Sequence, residues 1–374
     1  MRRHVQREQS GATMGVLSSL LKRRSQPLVG VDVSASAIKL VELSGDFDNP
    51  EVVAFAVEPV PEGAIVDRQI NEPEALAAAI RRAVQRAHTK TRRVAMAVPG
   101  ASVISKVIPM PASMNESDME EQIAVEADQY IPYPISEVSL DFEVIGPSAS
   151  DPDALDVLLA ACRRDQVDNL TRVLELAELV PAVVDAEPFA LENACTFLRG
   201  QMPNHGKDCT VAVADIGNTT MQINVLHNGD SIFSREHNIG GRMLTEEIAR
   251  AYDMDIADAA RAKKEGGLPE DFETTILQPF LDELAVQIDR SFQMFFSGGQ
   301  VTHQIDQLLV AGGSAYLNGM AERFALRLQI PVERALPLST MKMARQLKKT
   351  TLEQNECALL LALGLASRTF DAPR

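Results

Sequence analysis

Apolar and polar positions along the chain switch between two periods, one near 3.6 residues and one of two residues or a short continuous apolar run. Leu76, Ile80, Ala83, Val84 and Ala87 recur at helical spacing toward His88, and Asn71 with Glu74 three residues on predicts a capping box at the start of that helix. "RVAMAVPG" then reads as a strand and turn. "MNESDMEEQIAVEADQYIPYP" predicts a helix with acids early and Met119, Ile123 and Ala127 on one face, ended by Pro132 and Pro134. The runs "VSLDFEVIG" and "DVLLAAC" predict strands, and a further helix is expected from Arg164 to Glu178. "CALLLALGLA" near the end reads as a buried helix, being about half the length that a bilayer span requires. Strands alternating with amphipathic helices indicate an α/β fold. The cluster "GQMPNHGKD" is the best linker candidate.

One pattern occurs twice. "LVGVDVSASAIKLVEL" begins at Leu28, and "VAVADIGNTTMQINVL" begins at Val211; each is a strand, a single Asp, a turn of small residues and a second strand. Asp32 and Asp215 lie about half a chain apart, which predicts a duplicated fold with a cleft between the copies. An acid between two apolar runs is costly to bury unless something compensates its charge.

Composition narrows the possibilities. With 374 residues, 45% hydrophobic and 24% charged, the chain is globular and long enough for roughly two domains. The formal net charge of -16 argues against nucleic acid as a partner and against bulk attraction to anionic lipid. Four scattered cysteines without C-x-x-C spacing indicate neither a zinc site nor a disulfide framework, and fit a reducing compartment. Residues 1–27 are expected to be a mobile tail whose "VLSSLLKRR" has weak amphipathic character, and Met14 is a second candidate start.

The paired hairpins carry the candidate chemistry. Small residues let backbone N–H groups approach a phosphate, with Ser34, Ala35 and Ser36 in the first turn and Gly217, Asn218 and Thr219 in the second. Asp32 and Asp215 facing one another would make an oxygen-rich site suited to Mg²⁺ that keeps several waters. Lys39 would return along the second strand toward the same phosphates, where the other half has Gln222. Gly312, Gly313 and Ser314 in "LLVAGGSAYLNGM" are expected at a strand-to-helix turn, and Gly240 and Gly241 open the helix of "IGGRMLTEEIARAY". Neither G-x-x-x-x-G-K-[ST] nor G-x-G-x-x-G occurs, which excludes P-loop and dinucleotide enzymes at the level of motifs.

The order of Asp hairpin, second Asp hairpin and late "AGGSA" resembles the nucleotide site of the actin, heat-shock chaperone and sugar-kinase superfamily. Within it the chain resembles the PilM family of type IV pilus assembly proteins, from about Met14 to Phe370, through "FAVEPVPEGAIVDRQI", "EADQYIPYPISEVSLDFEVIGPSA", "LLAACR", "LTEEIARAY" with "AKKEGGLP", and "VAGGSA". That resemblance implies a two-lobed actin-like, duplicated ribonuclease H-like fold with an FtsA-type 1C subdomain inserted at about 94–180. The first lobe would cover 28–200 and the second 201–374, with subdomain IIB at about 243–306.

It also implies a cytoplasmic, ATP- and Mg²⁺-binding scaffold, peripheral at the inner membrane, that grips the N-terminal peptide of PilN. PilO, PilP and the motor ATPases would be indirect partners, twitching motility the process served, and self-association is left open. Ala35 and Asn218 depart from the superfamily's polar groups, which implies slow or absent turnover. Glu187 in "VVDAEPFALENA" matches the place of a water-activating residue, and Lys263 that of a lysine near the nucleoside. The rigid run Tyr130, Ile131, Pro132 and Tyr133 would suit capture of an extended peptide, or would pack the subdomain onto its lobe. A small-molecule kinase or phosphotransferase on the same fold, and an FtsA-like filament former, are the competing readings.

Overall fold

The computed structural model describes residues 26–66, 68–148, 151–298 and 304–371, with Asp128 described in its backbone alone; the basic tail and the candidate start at Met14 lie outside these residues. The first hairpin runs as β1 (Val29–Val33) and β2 (Ala37–Ser44), followed by β3 (Glu51–Pro59). A short hairpin of β4 (Ile65–Val66) and β5 (Gln69–Ile70) leads to α1 (Pro73–Ala87) and β6 (Arg93–Val98). An excursion comprises β7 (Val103–Pro111), α2 (Glu116–Glu126), β8 (Val138–Pro147) and β9 (Ala154–Arg163). The chain then returns through α3 (Arg164–Leu176) to β10 (Val180–Ala186) and enters α4 (Glu187–Cys195).

The second half repeats the plan with β11 (Thr210–Ile216), β12 (Met221–His227) and β13 (Asp230–His237). Helices α5 (Gly241–Tyr252), α6 (Ile256–Glu265) and α7 (Gln278–Ser297) precede β14 (Gln307–Ala311). After α8 (Met320–Leu328) and β15 (Val332–Arg334) come β16 (Lys342–Met343), α9 (Lys349–Glu353) and α10 (Leu360–Ala366).

The duplication read from the two Asp runs is present in the sheets. Strand order is β3-β2-β1-β6-β10 in the first, extended at its edge by β16, and β13-β12-β11-β14-β15 in the second. Pairings match as well: the first three strands of each half are antiparallel neighbours and the last two join in parallel. Asp32 pairs with Lys39 and Asp215 with Gln222, at the same register of the two hairpins. In each turn the N–H two residues after the Asp donates to the carbonyl five residues after it, Ser34 to Ala37 at 3.0 Å and Gly217 to Thr220 at 2.9 Å.

Helices cover both sheets. Leu76, Ile80, Ala83 and Val84 of α1 and Val173 and Leu174 of α3 pack on one face of the first sheet. The apolar face of α7, with Leu284, Ile288 and Phe292, packs with Leu244 of α5 and Phe324 of α8 on the outer face of the second. Between the sheets lie α4 and α10: Leu191, Ala194 and Leu360 pack against the second sheet, whereas Ala362, Leu363 and Ala366 pack against the first. The end of the chain therefore belongs to the first sheet's core, where β16 also pairs in parallel with β3. The three-stranded sheet β7-β9-β8 forms a separate small core with Met119 and Ile123 of α2. This is the two-lobed, actin-like α/β architecture with an inserted subdomain.

Two local expectations are corrected. Asn71 does not cap α1; its side-chain amide donates to the Gly63 carbonyl at 3.1 Å, and Pro73 at the first helical position starts the helix instead. The stretch "GQMPNHGKD" is not a free linker, since its Met202 is buried with Leu198 and the following Cys209 against the second sheet.

Candidate functional site

Asp32 at the end of β1 and Asp215 at the end of β11 come within electrostatic reach of one another and of Lys39. Asp32 is buried, and Lys39 Nζ lies 2.7 Å from its Oδ2. Burial alone would pull the Lys39 ammonium down; Asp32, with Asp215 and Glu187 behind it, outweighs that and holds it above the ordinary lysine value. Asp215 comes from the other lobe into the same field. Burial pushes its carboxyl up to about 6, against the pull of Lys39 and with the repulsion of Asp32. Two acids and one lysine thus share a small volume that holds more negative charge than it neutralises. A cation, or a phosphate with its cation, would settle that imbalance.

Glycines close the second lobe's part of the cleft. Gly241 N donates to the Gly217 carbonyl at 3.0 Å, and Ser314 Oγ donates to the same oxygen at 3.2 Å. A Cβ at Gly240 would press on the Asn218 backbone, and one at Gly241 would lie 2.7 Å from Ser314 Oγ. Gly312, with φ of +84°, leaves no room for a side chain beside Ile216 and the Asp215 carboxylate, while Gly313 next to it faces open space. So Gly217, Gly240, Gly241, Gly312, Gly313 and Ser314 come together around Asp215, and Asn218 and Thr219 lie in the turn itself. "LLVAGGSAYLNGM" departs from expectation in one respect: after Gly312 a single tight turn, Gly313–Tyr316, intervenes, and α8 begins only at Met320.

Lys263 is not a solvated surface residue. Its Nζ donates to the Gly241 carbonyl at 2.7 Å and to Thr245 Oγ1 at 2.6 Å, and burial lowers it to about 8. Thr245 was not singled out from sequence, although it lies one helical turn after Gly241. Beside Lys263 opens a cavity of about 500 Å³, lined by Gly266, Gly267, Phe272, Tyr316 and Asn318 among others. It offers an aromatic and glycine-lined space joined to the Gly241 turn through Lys263.

Glu187 is the first residue of α4, at the joint between lobes. Arg68 Nη2 holds its Oε2 at 2.6 Å, and Gly100 N donates to the same oxygen at 3.3 Å. Burial raises the Glu187 carboxyl to about 7; Arg68 opposes that rise, whereas Asp32 and Glu236 add to it. Arg68 also reaches the second lobe, with Nη1 2.6 Å from Glu236 Oε1 on β13. Sequence reasoning missed Arg68, whose only signal was its place in the turn of a two-residue-per-strand hairpin.

The rigid run at the end of α2 divides by exposure. Ile131 is buried with Ala127, Val138 and Ala161 inside the subdomain. Tyr130 packs on the neighbouring cluster of Met119 and Ile123, with Lys106 Nζ 3.8 Å from its ring centroid, whereas Pro132 and Tyr133 stand at the surface. Arg163 lies over the Tyr133 ring at 5.9 Å.

The model of the family described as "Type IV pilus assembly protein PilM" matches residues 30–370. The chain belongs to that family. Among solved structures, this PilM-family chain is 29% identical to one described as the "PilM-PilN type IV pilus biogenesis complex", with a TM-score of 0.79 over 93% of this chain and 99% of that one. The ethanolamine utilization protein EutJ from Carboxydothermus hydrogenoformans is 17% identical, with a TM-score of 0.55 over 91% of this chain and 89% of EutJ. MreB 5 of Spiroplasma citri, solved bound to AMPPNP, is 13% identical with a TM-score of 0.50 over 91% of this chain and 95% of that one. These last two share the fold. No described helix is long and apolar enough to cross a membrane.

Proposed function

We propose that this member of the PilM family is a cytoplasmic, ATP-binding scaffold of type IV pilus assembly that binds the N-terminal cytoplasmic peptide of PilN at the inner-membrane face. The observation that carries the nucleotide half is the convergence of Asp32, Lys39 and Asp215 with the glycine turns at 217, 240, 241 and 312 across one cleft. Asp32 and Asp215 would hold Mg²⁺, a cation that takes oxygen ligands and keeps several waters, and it would supply positive charge to the phosphates. Lys39 would meet the phosphates as a point charge, and the cavity beside Lys263 would take the nucleoside. Arg68 keeps Glu187 engaged, and with Ala35 and Asn218 in the turns this supports binding with slow turnover.

The partner half rests on the match, over 93% of this chain, to a PilM–PilN complex. Here the exposed pair Pro132 and Tyr133, beside the inserted sheet, is the surface proposed to meet the peptide; Ile131 supports it from within. Calorimetry tests both halves. Asp215→Ala is expected to weaken Mg²⁺-dependent ATP binding at least tenfold, about 1.4 kcal/mol, with peptide affinity unchanged. Tyr133→Glu is expected to abolish binding of the PilN peptide while ATP affinity and melting temperature persist. Unchanged ATP affinity in the first variant would remove the cleft assignment, and retained peptide affinity in the second would remove the placement of the peptide.

A further inference from the structure

Successive side chains of β13 point to opposite faces of the second sheet. Glu236 faces the interlobe contact with Arg68. Phe233, Arg235 and His237 fall on the other face, against α7, where Phe233 meets Phe295 edge-on at 5.7 Å between centroids. His237 Nε2 lies 2.6 Å from Ser291 Oγ, and that hydroxyl donates to the Gln287 carbonyl at 3.0 Å, so the ring donates through Nε2. Between these two anchors Arg235 closes an open cavity of about 510 Å³ together with His237, Gln287, Arg290, Gln293 and Ser297.

The charge in this cavity is the reverse of the molecule's. The chain carries 52 acids against 36 lysines and arginines, yet no carboxylate lines the cavity and two guanidinium groups do. The acids nearest on α7 are turned to other work: Gln287 Nε2 donates to Glu283 at 2.7 Å and Gln293 Nε2 to Asp289 at 2.6 Å. Arg235 Nε is buried and has no hydrogen-bond partner among the described residues. Nε itself is closed off from the cavity, so a ligand there would meet the terminal nitrogens of Arg235. Burial and the positive charges of Arg235 and Arg290 also hold the His237 imidazole below its ordinary value, as a cluster of unopposed cations should.

We propose that the cavity between β13 and α7 is a binding site for a phosphate-class oxyanion, held by the guanidinium groups of Arg235 and Arg290 with His237 beside them. A planar guanidinium fork matches the oxygens of such a group and forms charge-assisted bonds with it. A small oxyanion is the occupant the charges favour, because two guanidinium groups converge on the cavity and no carboxylate lines it. None of these groups belongs to the interlobe cleft, so the site stands whether or not the cleft takes ATP. Its position is nevertheless close in chain terms: His237 is followed within three residues by Gly240.

The test is titration of the full chain with inorganic phosphate and with pyrophosphate at fixed ionic strength, followed by calorimetry and by the His237 ring signals in proton NMR. Saturable binding is expected, with those signals shifting. Arg235→Gln and Arg290→Gln should each weaken the binding that moves the His237 signals at least fivefold and the double variant should abolish those shifts, while Asp215→Ala leaves them unchanged. Arg290 is exposed, so its replacement leaves the fold intact and keeps the result readable if Arg235→Gln unfolds. Vesicles containing anionic phospholipid are the second arm: vesicle binding lost in the same variants places the phosphate on a lipid headgroup, and inert vesicles with saturable free phosphate place it in solution. Equal phosphate affinity by the His237 signals in native and Arg290→Gln chains, loss of those shifts in Asp215→Ala, or binding of a glutamate-rich peptide without binding of phosphate would overturn the proposal.

Discussion

Glu187 is a carboxylate placed where three influences disagree. Burial raises it to about 7, Arg68 pulls it back, and Asp32 and Glu236 add repulsion. The unfolded chain releases this proton near 4.5, so between about 4.5 and 7 the native state holds a proton that the unfolded state has lost. Stability contributed at this site is therefore present at low pH and falls as pH rises through that window; Asp215, raised to about 6, acts in the same direction. Glu187→Gln should remove the slope, gaining on the order of 2 kcal/mol relative to the native chain between pH 4.5 and 7.5. Urea unfolding at the two ends of that range measures it, and a constant difference would contradict it. The two Asp positions were legible in sequence because each interrupts an apolar run. Arg68 was not, because an arginine in a polar turn looks like any other until the opposite lobe brings Glu236 to it.

Helices α4 and α10 cross so closely that side chains are excluded at the contact. A Cβ on Gly364 would collide with the Ala190 carbonyl oxygen, and one on Gly30 would collide with the backbone of α10 at Ala362 and Ala366. Gly364→Ala should therefore destabilise the protein by about 2 kcal/mol or more, through overpacking and displacement of α4. Since α4 begins at Glu187, the variant should also shift the Glu187 environment, readable as a changed pH dependence of melting. "CALLLALGLA" announced a buried helix by its composition, but its two-sided burial depends on which sheets flank it, and no local pattern carries that. For the same reason β16, two residues long and paired with distant β3, had no signal of its own. The misread cap of α1 is of another kind: Asn71 had the right chemistry, and Gly63 presented a carbonyl to it before the helix did.

At the scale of the whole chain, two copies of one sheet meet over a shared helical layer, and Arg68 spans the opening between them. Its bonds to Glu187 and Glu236 are half-buried, and Glu236 Oε2 already has no hydrogen-bond partner among the described residues. Arg68→Gln should cost about 1–2 kcal/mol of closure, raising hydrogen exchange of the β13 amides roughly 5–30-fold at neutral pH, while the inserted sheet is unaffected. Exchange unchanged along β13 would show that the lobes are held by α4 and α10 alone. The duplication itself was legible, because strand, acid and small-residue turn recur in order; the cleft geometry required both copies in place. The shared layer has a further consequence for the order of events in the cell. The first sheet is made before its cover: β1 starts at Val29, yet Ala362, Leu363 and Ala366 that pack on its inner face follow only after the whole second sheet. At about 5–20 residues per second, the ribosome leaves that face of the first sheet bare for tens of seconds. The first lobe thus waits on α10, and a chaperone that shields Val41, Leu43 and Val52 until α10 is made would meet a need built into the topology.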